Sequence, residues 1–143
     1  MALKSSCTTA VAGSGIVRFG NHRGRSTAEL ARDAGLAALH DAGMTLADVD
    51  EAFVGYIQPG SLLGVRAMKE LGLTGLPVTH VENASATGSS AFGEAVHAVA
   101  GGRVDVAMAL DEAARERHVE GQERGRGQSE ANHQHAQRHV AAD

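Results

Sequence analysis

The stretch Val78-Thr-His-Val-Glu-Asn-Ala-Ser-Ala-Thr-Gly-Ser-Ser-Ala-Phe92 is the part of this sequence best suited to chemistry. A short β-branched run passes through small and polar residues into a helical pattern. Such a junction exposes its side chains and aims the amides of a helix N-terminus at them. A hydroxyl at Ser85 can act there as a nucleophile, or the turn can receive an anion. The same residues also fit a plain N-cap, in which Ser85 or Thr87 satisfies an orphan amide and the small side chains let two backbones approach. A serine nucleophile needs a general base nearby, because a helix dipole alone does not ionise a hydroxyl near neutral pH. His80 stands five residues before Ser85 and is the candidate base, but a strand histidine satisfied within the fold is the better reading of it.

Other constellations are weaker. Gly13-Ser-Gly15 followed by Gly20 does not spell G-x-G-x-x-G, and no helix follows it at once, so a dinucleotide site is not expected; a P-loop is absent. His118, His133, His135 and His139 could gather one metal ion on a flexible segment, but a solvated polar tail explains them as well, and no metal site is expected. Arg124-Gly-Arg126-Gly resembles a short RGG-like element whose charge Glu120, Glu123 and Glu130 cancel. Cys7 precedes the first expected strand and has no partner in the sequence.

The elements that must position the Ser85 turn are legible in outline. Thr8 to Val17 reads as a first strand broken by Gly13 and Gly15. Ser26-Thr27-Ala28-Glu29 is a capping box that starts a helix, with Leu30, Ala34, Ala37 and Ala38 as its buried stripe and Gly43 as its stop. A turn over Leu46 to Asp50 leads to a buried strand, Glu51 to Tyr56, and a Pro59-Gly60 turn. Leu62 to Leu71 suits a second helix closed by Gly72, and Pro77 to Val81 a third strand. A third helix begins near Ser85, carries Phe92, Ala95, Val96 and Val99 at helical spacing, and ends at Gly101-Gly102 before a last apolar run, Val104 to Leu110. This alternation predicts stacked β-α units with a largely parallel sheet.

Composition bounds the function. The chain has 143 residues, 13 basic against 17 acidic, for a formal net charge of −4, which disfavours nucleic acid or an anionic membrane as the main partner. A single Cys excludes an internal disulfide framework and fits a reducing compartment. No apolar run approaches the roughly 18–20 residues of a membrane span, and the start lacks the apolar stretch of a secretory signal. A soluble, cytoplasmic protein is expected. Composition shifts abruptly near Leu110, giving an ordered domain over 8–110. Residues 111–143 hold no Leu, Ile, Met, Phe or Tyr, which predicts a frayed helix followed by disorder.

The Val81-Glu-Asn-Ala-Ser-Ala-Thr-Gly-Ser-Ser-Ala91 segment resembles the nucleophile segment of the thiolase superfamily, especially of its lipid-transfer-protein (SCP-x-like) branch, which reads V-E-N-A-C-A-T/S-G-S-S/T-A. Gly15 to Phe19 with Arg25-Ser-Thr-Ala-Glu-Leu30, Ala38 to Asp50, Gly72-Leu-Thr-Gly-Leu-Pro-Val78 and Gly102-Arg-Val-Asp-Val-Ala107 are similar to that branch in the same order. The resemblance covers about Val11 to Leu110. It implies an α/β fold, the N-terminal half of a thiolase-like protein, with a mixed five-stranded sheet of βαβαβαββ type flanked by helices.

For chemistry, the resemblance implies acyl transfer on coenzyme A thioesters, the thioester being substrate and no resident cofactor being needed. Ser85 stands where the family has its nucleophilic Cys, with Asn83, Thr87, Gly88 and His80 as site neighbours. The family's remaining catalytic groups lie in a C-terminal half that this sequence does not show. Its polar tail suggests a truncated or frame-shifted product, or a half-domain kept for another purpose. Two further readings stand beside acyl transfer. Thiolase-like proteins of this branch that lack the Cys pair with OB-fold (DUF35-type) partners in retro-aldol cleavage, and a non-catalytic half-domain would need a partner chain over its exposed faces. Either way a homo-oligomer or a partner subunit is expected.

Overall fold

Every residue of Glu51–Gly55 is buried, so both faces of this strand are covered, and that builds the layers. The computed structural model describes residues 8–57, 62–72 and 75–111. Its regular elements are helix α1 (Thr27–Ala42), strand β1 (Glu51–Gly55), helix α2 (Leu63–Leu71), strand β2 (Val78–Val81), helix α3 (Thr87–Ala100) and strand β3 (Ala107–Asp111), with single 3-10 turns at Leu46–Asp48 and Ala84–Ala86. The strands form a parallel sheet in the order β2-β1-β3.

Side chains of a strand point alternately to the two faces. Ala52 and Val54 of β1 join Leu39, Val49, Met68, Met108 and Leu110 in one core beneath α1 and α2. Phe53, on the opposite face, packs with Ala91, Ala95 and Ala98 of α3. The sheet is thus covered on both sides, as parallel sheets require. Register places Val78 and His80 of β2 beside Ala52 and Val54, and Thr79 and Val81 beside Phe53 and Gly55.

Helix α1 starts at its capping box as the sequence predicts. Ser26 Oγ accepts from the Glu29 amide at 3.3 Å, and Glu29 Oε2 accepts from the Ser26 amide at 2.7 Å. Gly43 closes the helix in the left-handed region at φ 66°. The expected stripe needs correction: the buried residues are Ala28, Gly35 and Leu39, while Ala37 is exposed and Leu30, Ala34 and Ala38 are half-buried. The cause is Gly35. A Cβ there would stand 3.2 Å from Leu71 Cδ1 and 3.6 Å from Leu110 Cδ2, so its bare α-carbon turns the helix face through Gly35 and Leu39 onto α2 and β3.

The strand expected over Thr8 to Val17 does not form; residues 8–18 contain no strand. Gly13 and Gly15 lie instead against the backbone of α1, where Cβ atoms would stand 2.8 Å from Ala42 Cβ and 2.9 Å from Ala37 Cβ. The Ser14 amide donates to Asp41 Oδ2 at 2.8 Å. Close approach to the helix and a carboxylate acceptor replace a ladder here, and Val11, Ile16 and Phe19 remain exposed. With that segment on α1, the described sheet has three parallel strands, where a mixed five-stranded one was expected. The Pro59-Gly60 turn, Cys7, the tail histidines and Arg124–Gly127 lie outside the described residues.

The α3 face is tied at its far end by charge. Buried Glu51 receives Arg103 Nη2 at 3.1 Å and the Thr79 hydroxyl at 3.1 Å, while the Arg103 guanidinium stands 5.5 Å from the Phe53 ring centroid. Asp50 Oδ2 accepts from the amides of Asp105 and Val106 at 3.0 and 2.9 Å, which fixes the entry to β3.

Candidate active site

Strands β1 and β2 are neighbours whose connections leave to opposite faces, β1 toward α2 and β2 toward α3. In open parallel sheets the crevice outside the C-terminal ends of two such strands is where ligands bind. The β2–α3 connection, residues 82–86, borders that crevice and contains Ser85.

The connection is built by local polar bonds. Thr87 is buried at 1% exposure; its Oγ1 accepts from the Asn83 amide at 2.8 Å and donates to the Ala84 carbonyl at 2.6 Å. Asn83 Nδ2 donates to Ser90 Oγ at 2.9 Å, one turn into α3. The Ala84 amide donates to Glu82 Oε1 at 3.0 Å, the Ala86 amide to the Asn83 carbonyl at 2.9 Å, and the Thr87 amide to the Ala84 carbonyl. The amides of Asn83, Ala84, Ala86 and Thr87 are therefore all paired inside the turn.

Ala84 is left-handed at φ 44°, a conformation that costs a side-chain-bearing residue about 1–2 kcal/mol. That strained residue directly precedes Ser85, which is exposed within the 3-10 turn. Helix α3 itself begins at Thr87, two residues later than the sequence suggests, because the Thr87 bonds to Asn83 and Ala84 close the 3-10 turn first.

His80 lies elsewhere. It points to the α2 face, where its Nε2 accepts from the Gly64 amide at 2.9 Å and its ring meets Tyr56 edge-on at 5.5 Å between centroids. Among the described residues no side chain is hydrogen-bonded to Ser85 Oγ. The structure thus brings Asn83, Ser85, Thr87 and Gly88 together and sets His80 apart, on the other face of the sheet.

Two further residues shape the turn and were not singled out by sequence reasoning. A Cβ on Gly55, at the end of β1, would stand 2.6 Å from Thr87 Cγ2. Asp111, at the end of β3, places its carboxyl group against Gly88, where a Cβ would stand 2.6 Å from Asp111 Cγ. Only the position of Asp111 directly after the apolar run Val104 to Leu110 marks it in sequence, as the residue at the C-terminal end of a parallel strand.

The chain matches no protein-family model. It is 41% identical over 103 residues to sterol carrier protein 2 of Gallus gallus, a match covering 70% of this chain and 19% of that protein. To acetyl-CoA acetyltransferase of Methanocaldococcus jannaschii it is 38% identical over 104 residues, 69% of this chain and 26% of that one. The chain is thiolase-like. It fits part of an N-terminal half, and spans about a fifth to a quarter of the curated relatives it matches. The thiolase-like fold also aligns with the acetyl-CoA acetyltransferase of Syntrophomonas wolfei, at a TM-score of 0.55 and 26% identity over 68% of this chain and 26% of that one. An Ltp2-ChsH2(DUF35) aldolase aligns at a TM-score of 0.57 and 30% identity, over 66% of this chain and 25% of that one. No described helix is long and apolar enough to cross a membrane.

Proposed function

We propose that the Ser85 turn of this thiolase-like chain receives an acyl thioester of coenzyme A, in a protein of acyl-CoA metabolism. The observation that carries this reading is the turn itself: an exposed hydroxyl behind a left-handed Ala84, at the C-terminal edge of a parallel sheet and the amino end of α3. The names of the relatives, sterol carrier protein 2 and acetyl-CoA acetyltransferase, support the substrate class.

In acyl transfer from a 3-ketoacyl-CoA, Ser85 Oγ attacks the 3-keto carbonyl and the bond between C2 and C3 breaks. Acetyl-CoA leaves as its enolate and takes up at C2 a proton in balance with the one lost by the hydroxyl, and free coenzyme A then accepts the acyl group. Asn83 and Thr87 hold the turn, and Gly88 lets β3 approach it. With His80 engaged by Gly64, the base comes from beyond the described residues. A second chain fits this need. Phe92 on α3 is 49% exposed, and a homo-oligomeric copy or a partner subunit over that face would bury it and supply the missing groups. Completion of a five-stranded mixed sheet belongs to the same reading, as does a reducing, cytoplasmic location, for which the single Cys speaks.

A retro-aldolase subunit working with an OB-fold partner is the second reading. It is favoured by a hydroxyl in place of a thiol at position 85 and by the likeness to the Ltp2-ChsH2(DUF35) aldolase. Thiolysis of acetoacetyl-CoA and longer 3-ketoacyl-CoAs by free coenzyme A separates the two, run on wild type, Ser85→Ala and Ser85→Cys. Turnover lost in Ser85→Ala supports acyl transfer. Silence from all three folded proteins overturns it and leaves retro-aldol cleavage.

A further inference from the structure

The amino end of α3 carries positive potential, and a carboxylate of the same chain is packed against it. Helix N-termini stabilise negative charge within their first turn, and a fixed anion there uses up that effect. Asp111, an exposed residue, reaches this place from the C-terminal end of β3. The absence of side chains at Gly55 and Gly88 allows its approach, since a Cβ on Gly55 would stand 3.3 Å from Asp111 Oδ1 and one on Gly88 would stand 2.6 Å from its Cγ. Glu82 faces the same turn from the β2 end, bonded to the Ala84 amide. No cation balances the pair among the described residues. His80 is on the other face of the sheet, and Glu94, the next acidic residue along α3, is exposed about two turns beyond Thr87.

We infer that Asp111 is the charge-setting residue of the Ser85 turn: its carboxylate, lying against Gly88, occupies the electropositive end of α3 and holds back the build-up of negative charge at residue 85. It is a positioning residue that acts through the field at the turn. Its consequence for thioester chemistry rests on the reading of that turn as the acyl site. There it slows formation of a nucleophilic anion and of the oxyanion that follows attack.

The charge can be read without any turnover. In a Cys7→Ser, Ser85→Cys background, the rate of alkylation by iodoacetamide is followed from neutral pH to the alkaline plateau. Only the thiolate reacts, so the profile reports the ionisation of residue 85. Asp111→Asn, equal in shape, is expected to raise the rate at neutral pH several-fold and leave the plateau unchanged. Asp111→Gly removes the charge without adding volume and gives the same result should the Asn variant fold poorly. Glu94→Gln, which changes net charge equally at a distance, is expected to leave the profile in place. Unchanged neutral-pH rates in both Asp111 variants overturn the inference, and so does an equal shift in Glu94→Gln. Failure of thiolysis with the alkylation shift intact counts against the acyl-transfer reading alone.

Discussion

The amide of Gly64 donates to Nε2 of His80 at 2.9 Å, so an imidazole from the middle sheet layer caps the first turn of α2. The bond needs a lone pair on Nε2 and places the ring where a Cβ on residue 64 would fall 3.0 Å from His80 Cδ2. Near the crevice, the only strand imidazole thus serves the helix on the far face among the described residues. His80→Ala is expected to lose this cap and its contact with Tyr56, lowering stability by about 1–2 kcal/mol, as cap deletions do. Urea titration followed by circular dichroism measures it; an unchanged midpoint would show that the cap carries no weight.

Thr87 and Gly55 are interlocked. Thr87→Val keeps the shape but removes a buried hydroxyl that both donates and accepts, leaving the Asn83 amide and Ala84 carbonyl without it, for an expected loss of about 1–3 kcal/mol. Gly55→Ala forces a methyl to within 2.6 Å of Thr87 Cγ2 and is expected to cost about 1–3 kcal/mol through overpacking. Because the two residues touch, the double variant should depart from additivity, and a strictly additive result in the same titration would place them out of contact.

Strain at Ala84 has the opposite sign. Glycine adopts the left-handed region freely, so Ala84→Gly relieves the cost at φ 44° while losing some unfolded-chain entropy difference; a net gain of up to about 1 kcal/mol is expected. A thermal melt higher than wild type supports the strain, whereas a clear fall would contradict it.

Acid should loosen α1 and the turn after it. Glu29 is held below the usual carboxylate range first by the Ser26 amide, Asp48 by the Thr45 amide, and Asp33 by the Arg25 and Arg32 guanidinium groups. For a carboxyl whose folded pKa lies below its unfolded value, the stabilisation is present above the unfolded pKa and is lost as pH falls toward the folded one. Stability is therefore expected to be flat near neutrality and to decline below about pH 5. Glu29→Gln should blunt that decline, because it removes the carboxylate that the Ser26 amide holds; the midpoint of denaturation as a function of pH reads this directly.

Local signals in the sequence carried the α1 start, the Gly43 and Gly72 stops, the three paired strands and the Ser85 turn. Each is decided by neighbours within a few residues, such as Ser26 with Glu29. What escaped depends on contacts remote in sequence. Thr8 to Val17 has strand composition, yet Gly13 and Gly15 let it lie on α1. Gly35, unremarkable in a helical pattern, sets which face of α1 is buried. His80 stands near Ser85 along the chain, but the alternation of a strand sends it to the α2 face, where it is the satisfied strand histidine that the sequence favours. Asp111 reaches the turn only because β3 lies beside β1, a juxtaposition that no local pattern encodes.

Covalent capture at residue 85 tests the central claim most directly. The folded Ser85→Cys and Ser85→Ala variants are incubated with acetoacetyl-CoA, and the intact mass and the modified peptide are determined by mass spectrometry. The account predicts one acetyl adduct in Ser85→Cys, mapped to residue 85, released coenzyme A bearing the acetyl remainder, and no adduct at that position in Ser85→Ala. A folded Ser85→Cys protein that stays unmodified at residue 85, or one acylated no faster there than at Cys7, would contradict the assignment of this turn as the thioester site.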